Sequence, residues 1–194
     1  MNKAVISLIA GLGNPGNKYK QTRHNAGFWF LDALASEYGA DLRTDDKFHG
    51  ETAKIKIGDQ EIWLLKPDTF MNLSGQAIAA ISRFYKIPAE EVLVVHDELD
   101  LPPGTARLKR DGGHGGHNGL RDTIEKLGSK EFARLRLGIG HPGDKSRVHD
   151  YVLHQASRDD QIALEIAIRH STGVISEIVS GDWDKAMNQL HTGS

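Results

Sequence analysis

Residues Ala4–Tyr38 read AVISLIAGLGNPGNKYKQTRHNAGFWFLDALASEY, and this stretch sets the architecture of the chain. It begins with an apolar run, passes through a polar loop bounded by glycines, and then takes up an apolar pattern with a helical period. We therefore predict a buried strand over Ala4–Ala10 and a helix over Asn25–Tyr38. A strand followed by a helix is the repeating unit of proteins whose helices cover a sheet.

The same alternation continues along the chain. Further strands are predicted over Glu51–Ile57, Glu61–Lys66, Val92–His96, Thr105–Lys109 and Arg134–Ile139. Further helices are predicted over Ser74–Tyr85, with Ser74 as N-cap, over Leu120–Leu127, and over a long amphipathic segment, Asp159–Val179, that ends at Gly181. The short link Gly58–Gln60 predicts an antiparallel hairpin. We expect an α/β fold with a single domain over residues 1–194, in which a mixed, twisted β-sheet is sandwiched between helices.

Composition restricts the classes of protein that the chain can represent. It has 194 residues and no cysteine, which excludes disulfides, thiolate metal sites and thiol nucleophiles. A cytoplasmic protein fits this composition best. The N-terminal apolar run lacks the small-residue cleavage site of a signal peptide. No apolar run approaches the roughly 20 residues that span a bilayer.

Charge is distributed unevenly along the sequence. The formal net charge is −2, but residues 101–149 hold ten Lys or Arg against five Asp or Glu, so this segment carries +5. Such a basic segment on an acidic body suggests a local anionic ligand. Arg107 and Lys109 lie two apart in a predicted strand, as do Arg134 and Arg136, so that each pair projects from one face.

Four loops concentrate amides and imidazoles between glycines. They read GNPGNKYKQTRHNAG (Gly13–Gly27), FMNLSG (Phe70–Gly75), HDELDLPPG (His96–Gly104) and GGHGGHNG (Gly112–Gly119). Loops of this kind are typical of an active site carried on a rigid scaffold.

The sequence context argues against three interpretations of these loops, of which the metal site stays open as an alternative. Gly11, Gly13 and Gly16 match a dinucleotide fingerprint, but no helix opens on the last glycine. A metal site would draw on His96, Asp97, Glu98, His114 and His117, yet the HGGH loop has nothing to stiffen its histidines. A serine hydrolase would need a nucleophile elbow, which the sequence lacks.

A histidine acting as general base on water remains. His24 follows the first strand and Asp97 ends a central one, so the two can form an imidazole–carboxylate pair. Asn14, Asn72 and Asn118 suit hydrogen bonding to a peptide-like or ester substrate.

The four loop motifs resemble the signatures of the bacterial peptidyl-tRNA hydrolase family over residues 8–143. The resemblance implies a monomeric esterase without cofactor or metal, whose substrate is peptidyl-tRNA. In that family's terms His24 is the catalytic base, Asp97 orients it, and Asn118 stabilises the oxyanion. The positions that would bind the peptide part of the substrate are Asn14, Tyr19, Met71, Asn72 and Asn118. The positions that would bind tRNA phosphates are Lys109 and Arg136, with Arg107 as their neighbour on the same strand face. His114 and His117 are expected at the cleft rim without assigned roles.

Two other classes stay open from the residues alone. An RNA-binding protein without catalysis would use the same cations and would not need His24 and Asp97. A metal-dependent hydrolase would lose activity to a chelator. No membrane association is expected.

Overall fold

The computed structural model describes residues 5–192. Within them lie seven strands: β1 (Leu8–Gly11), β2 (Arg43–Asp45), β3 (Gly50–Ile57), β4 (Gln60–Pro67), β5 (Val92–Glu98), β6 (Ala106–Lys109) and β7 (Ala133–Gly138). The helices are α1 (Ala26–Glu37), α2 (Ser74–Phe84), α3 (Asn118–Leu127), α4 (Val148–Val152), α5 (Arg158–Gly173), α6 (Ile175–Ser180) and α7 (Trp183–Thr192).

The strands form one mixed sheet in the order β2-β3-β4-β1-β5-β7-β6. Strands β4, β1, β5 and β7 run parallel, whereas β2, β3 and β6 pair antiparallel with their neighbours. The predicted hairpin is confirmed, because β3 and β4 meet where Gly58 takes a φ of 60°. The predicted α/β class and mixed sheet are confirmed.

Each face of the sheet carries its own apolar core. On one face α1 and the C-terminal helices cover Ile9, Leu93 and Val95. On the other face α2 and α3 cover Leu8, Ala10 and their neighbours. The near-continuous apolar runs of β1 and β5 follow from this two-sided burial.

Gly27, in the first turn of α1, lets that helix lie directly on the sheet. A Cβ at this position would stand 2.4 Å from the carbonyl oxygen of Val95 and 2.5 Å from the amide nitrogen of Leu12. Both are backbone atoms that no side-chain rotation can move. The close approach brings the residues that precede α1 against the carboxyl end of β5.

Four sequence predictions need correction. The first strand begins at Leu8, and Ala4 lies outside the described residues. Strand β2 was missed because its three residues are polar and without apolar alternation. Ser74 is not the N-cap of α2: Leu73 takes that position, and the Ser74 hydroxyl donates to the Met71 carbonyl 2.8 Å away.

The long C-terminal helix is the fourth correction. It is broken at Val174 into α5 and α6, although its predicted end at Gly181 is confirmed by a φ of 85° there. The hydroxyls of Ser171 and Thr172 donate to carbonyls one turn earlier, a contact that bends helices.

The carboxyl ends of the parallel strands meet at one edge of the sheet. Strand β1 pairs with β4 on one side and with β5 on the other, so the strands that follow β1 in sequence lie on both sides of it. Crevices at such points are where open α/β sheets bind ligands. Three of the four predicted loops follow β1, β4 and β5 and therefore converge at this edge. The fourth, residues 112–119, follows the antiparallel strand β6 and meets the others at the start of α3.

Candidate active site

His24 and Asp97 form the centre of the site. His24 lies in a 3-10 turn immediately before α1, and Asp97 is the penultimate residue of β5. The Nδ1 atom of His24 lies 2.8 Å from Oδ2 of Asp97, and the carboxylate is 2% exposed. The contact that the sequence predicted between two residues 73 positions apart is therefore present in the fold.

Their charges depend on each other. Burial lowers the pKa of the His24 imidazole, but the charge of Asp97 and its hydrogen bond outweigh burial, so the pKa stands above the ordinary value of 6.5. Burial raises the pKa of Asp97, and the opposing effects of His24 and His117 bring it well below its usual range. Asp97 is thus a carboxylate at neutral pH, and its hydrogen bond leaves Nε2 of His24 as the nitrogen that can act as base.

His117 forms a hydrogen bond with the other carboxylate oxygen of Asp97. Its Nε2 atom lies 2.8 Å from Oδ1, and its Nδ1 accepts hydrogen bonds from the amides of Gly119 and Leu120 at 3.1 and 3.3 Å. His117 is therefore the N-cap of α3. The prediction that nothing stiffens the HGGH loop is wrong for His117, because a helix start fixes its ring. His114 and His117 both line the cleft, where the sequence placed them.

His96 is a third imidazole beside the pair, and it is 1% exposed. Its Nδ1 donates to the Asp97 carbonyl at 2.8 Å. Burial is the main cause, and the neighbouring His117 the second, of a lowered pKa of His96, to about 3. His96 is therefore neutral at physiological pH and contributes no charge to the site.

Three atoms lie close enough together to hold a metal ion: one ligand atom each of His24, Asp97 and His117 falls within 4.8 Å of the others. Coordination through Nε2 of His117 would require a lone pair there and a proton on Nδ1. That proton would face the amide hydrogens of Gly119 and Leu120. The hydrogen bonds of this loop therefore do not fit a metal site.

Asn14 joins the first loop to the second. Its Oδ1 accepts from the Met71 amide at 2.7 Å, and its backbone exchanges hydrogen bonds with the Asn25 side chain at 2.8 and 2.9 Å. Both asparagines are buried. With Oδ1 engaged, the Nδ2 group of Asn14 is the part of the side chain that can donate to a ligand.

A cleft of about 940 Å³ opens above these residues. Its lining includes seven of the predicted catalytic and peptide-side residues: Asn14, Tyr19, His24, Met71, Asn72, Asp97 and Asn118. The ring of Tyr19 stands edge-on to Phe70, with centroids 6.2 Å apart. Met71 is buried and packs against Gly119, where a Cβ would lie 2.6 Å from the Met71 sulfur.

Lys109 and Arg136 reach the same cleft, whereas Arg107 does not line it. In the β6–β7 pair Lys109 lies opposite Arg134 and Arg107 opposite Arg136, so that all four share one face. Arg107 lies towards α7, where burial and the charges of Arg107 and Arg136 lower the pKa of His191.

Sequence reasoning left Arg134 and Asn25 without a role. Arg134 is 1% exposed, and its Nη2 donates to the Gly112 carbonyl at 2.6 Å, which anchors the glycine loop. Asn25 holds Asn14 in place. Two features of the sequence could have pointed to these residues: the alternation of Arg134, Leu135 and Arg136 in β7, and the position of Asn25 directly after His24.

The chain matches known proteins over nearly its whole length. The peptidyl-tRNA hydrolase family model matches residues 8–194. A peptidyl-tRNA hydrolase of Stenotrophomonas maltophilia is 57% identical over 189 residues, 97% of this chain and 98% of that protein. One of Neisseria gonorrhoeae is 52% identical over 188 residues, again 97% and 98%. The crystal structure of peptidyl-tRNA hydrolase from Acinetobacter baumannii has a TM-score of 0.95 at 49% identity, with 99% and 97% covered.

Fold, cleft and relatives define the class of this protein: it is an enzyme, a carboxylic-ester hydrolase of mixed α/β architecture. The chain belongs to the peptidyl-tRNA hydrolase family. Over residues 5–192, none of the helices combines the length and apolar character needed to cross a membrane.

Proposed function

We propose that the protein hydrolyses the ester that joins a peptide, or an N-blocked aminoacyl group, to tRNA, and so recycles tRNA during translation in the cytoplasm. The observation that carries the proposal is the His24–Asp97 pair in a cleft edged by Lys109 and Arg136. The identity of 57% to a protein named peptidyl-tRNA hydrolase supports the same substrate. From the resemblance of its loop motifs to this family, we expect the protein to act as a monomer without a cofactor.

In this proposal His24 is the general base. Its Nδ1–H donates to Asp97, so Nε2 takes a proton from water while the water oxygen attacks the ester carbonyl carbon. The tetrahedral intermediate then collapses, and the ribose oxygen leaves with the proton that His24 returns. The products are a peptide with a free carboxyl group and tRNA with a free ribose hydroxyl.

Asn118 is proposed to stabilise the negative oxygen of the intermediate. It is the first residue of α3, whose N-terminal end carries a partial positive charge. Its Oδ1 accepts from Arg121 at 3.3 Å, so its Nδ2 hydrogens are the ones available to the oxyanion. A donor of this kind typically contributes about 10²- to 10³-fold to turnover.

The peptide is proposed to lie along Asn14, Met71 and Asn72. The amide of Asn72 is exposed beside the buried Met71, and that of Asn14 is fixed through its oxygen. Amide side chains bind backbone groups that every peptide shares, which gives tolerance of side-chain identity. Tyr19 is proposed to flank this channel with Phe70.

The tRNA phosphates are proposed to bind at Lys109 and Arg136, with Arg107 adding its charge from the same strand face. Lys109 is exposed, and Arg136 is half-buried with Nη1 3.9 Å from Glu98. Phosphate contacts of this kind give affinity without sequence readout.

The test is incubation of purified protein with an N-acetylated aminoacyl-tRNA, with and without a chelator. We expect release of the N-acetyl amino acid at the same rate in both samples. Binding of the tRNA without release would identify a non-catalytic RNA-binding protein. Loss of release in the chelator would identify a metal-dependent hydrolase.

A further inference from the structure

We propose that His117 is a positioning residue for the reaction: the first amides of α3 lock it as the Nε2–H tautomer, and in that form it fixes the Asp97 carboxylate and withdraws charge from it. The inference rests on the hydrolysis proposed above and adds to it a second imidazole, whose two ring nitrogens are both hydrogen-bonded within the protein. His117 acts on the reaction only through Asp97.

The tautomer follows from the hydrogen bonds of the ring. Backbone amides can only donate, and those of Gly119 and Leu120 point at Nδ1 of His117 from 3.1 and 3.3 Å. Nδ1 therefore carries a lone pair, and in the neutral ring the proton is on Nε2. That nitrogen lies 2.8 Å from Oδ1 of Asp97, so His117 donates to the carboxylate.

The second donor fixes the orientation of the carboxylate. Oδ2 of Asp97 accepts from His24 and Oδ1 accepts from His117, each at 2.8 Å, and the two rings stand 5.0 Å apart. A carboxylate held at one oxygen can rotate about its Cβ–Cγ bond, whereas one held at both cannot. The plane of Asp97, and with it the direction of the His24 ring, is therefore set from α3.

The same hydrogen bond weakens the hold of Asp97 on the His24 proton. Asp97 is what raises the pKa of His24 against the effect of burial. A donor on the opposite oxygen draws negative charge away from His24. Removal of that donor therefore raises the pKa of His24 further, so that a larger fraction of the base is protonated at a given pH.

Other charged and titratable groups face the same cleft. Strand β5 contributes the neutral ring of His96 and the carboxylate of Glu98, and the carboxylate of Asp100 lies two residues after the end of this strand. The strands contribute three cations, Lys109 of β6 and Arg134 and Arg136 of β7. Three further histidines and one lysine lie on loops and on α4: His114, His141, His149 and Lys145. All of these groups are common to a His117 variant and its parent, so a difference between the two proteins reports His117 alone.

Two substitutions separate the two contacts of the ring. In His117→Asn the side-chain oxygen takes the place of Nδ1 and caps α3, but the chain is too short to reach Asp97. In His117→Gln the amide nitrogen takes the place of Nε2 and donates to Asp97, but no acceptor is left for the α3 amides. Each variant is the control for the other.

For His117→Asn we expect a melting temperature close to wild type and kcat lowered by about tenfold with KM little changed, the size of effect expected from losing a hydrogen bond to a charged group. We also expect the acid limb of its kcat/KM profile to move to higher pH. For His117→Gln we expect a lower melting temperature, with kcat and the acid limb restored towards wild type. A purely structural role would reverse this pattern, since activity would follow the helix cap.

A measurement without substrate keeps this inference separate from the proposed function. In wild-type protein the ¹⁵N resonances of His117 should show a lone pair on Nδ1 and a proton on Nε2, and the His24 resonances should titrate at a higher pH in His117→Asn. A proton on Nδ1 of His117, or an unchanged His24 titration in His117→Asn, would overturn the inference. Failure of the wild type to cleave N-acetylated aminoacyl-tRNA would overturn the proposed function and leave these spectra interpretable.

Discussion

The proton shared between His24 and Asp97 determines the pH range in which the site can work. His24 must be neutral to act as a base, and its pKa is raised above 6.5 because Asp97 outweighs burial. Activity should therefore fall as pH decreases through a value above 6.5. The depressed pKa of Asp97 keeps the carboxylate charged throughout that range.

Replacement of the base is the first prediction at this scale. We expect His24→Ala to lower kcat by about 10²- to 10⁴-fold, the contribution of a positioned general base, with tRNA affinity nearly intact. Steady-state kinetics together with a binding assay measures both. A variant that keeps more than about a tenth of wild-type kcat would show that another group removes the proton.

Replacement of the Asp97 carboxylate gives the second prediction, in which the acid limb of the pH profile moves to lower pH, opposite to the shift expected for His117→Asn. In Asp97→Asn the group that raises the pKa of His24 is lost and burial remains, so this pKa should fall below 6.5. The acid limb of the kcat/KM profile should move to lower pH while kcat decreases. An acid limb that does not move would mean that the limb belongs to a different group.

At the scale of the element, the contact between α1 and the sheet sets the distance between His24 and Asp97. His24 directly precedes α1, and that helix rests on backbone atoms of Leu12 and Val95 through Gly27. Any group added at Gly27 must lift the start of α1 from the sheet. Stability and catalysis are therefore coupled at this residue.

We expect Gly27→Ala to lower the free energy of unfolding by about 3 kcal/mol, the upper part of the usual range for overpacking, because backbone atoms cannot move aside. Denaturant unfolding measures the loss, and the folded fraction should show reduced kcat. Gly173→Ala is the matched control, since nothing lies within 4 Å of a Cβ there. Equal stability of the two variants would contradict the close contact.

At the scale of the whole molecule, positive charge collects where the cleft opens. Residues 101–149 carry +5 on a chain of net charge −2, and Lys109, Arg134 and Arg136 of that segment line the cleft. A polyanion is therefore attracted to one side of an otherwise acidic protein.

The double variant Lys109→Ala and Arg136→Ala should raise KM for peptidyl-tRNA. The slope of log affinity against log salt should decrease in magnitude by roughly 0.7 to 0.9 for each cation removed. Cleavage of a peptidyl-adenosine ester, which lacks the phosphates, should stay near wild type. Lys56→Ala, which removes an exposed cation of β3, is the control and should change neither measurement. Equal losses on both substrates would mean that Lys109 and Arg136 support the catalytic centre instead.

Sequence predicted what local pattern determines and missed what tertiary contacts determine. The apolar runs of β1 and β5 and the hairpin at Gly58 are local, and all three are confirmed. His24 and Asp97 could be paired because residues that follow or end parallel strands share one edge of the sheet.

His117 was missed for a physical reason. Helix α3 was predicted to begin at Leu120, and the true start at Asn118 turns the preceding histidine into the N-cap. A histidine is an uncommon cap, so the usual Ser, Thr, Asp or Asn signal is absent. Arg134 and Arg136 look equivalent in sequence, and tertiary contacts distinguish them. The Arg134 guanidinium lies 4.3 Å from the centroid of the Phe132 ring and donates to the Gly112 carbonyl.

The separation of His24, Asp97 and His117 along the chain has a consequence for synthesis on the ribosome. His24 and Asp97 lie 73 positions apart, and the ring that holds Asp97 depends on amides up to Leu120. β5 is also flanked by β7, which ends at Gly138. A nascent chain that has not yet released β7 from the ribosomal tunnel lacks the neighbour of β5, so hydrolysis must begin late in synthesis. Recovery of activity after dilution from denaturant should accordingly coincide with the slowest refolding phase, because long-range parallel pairing is the slow step in such topologies.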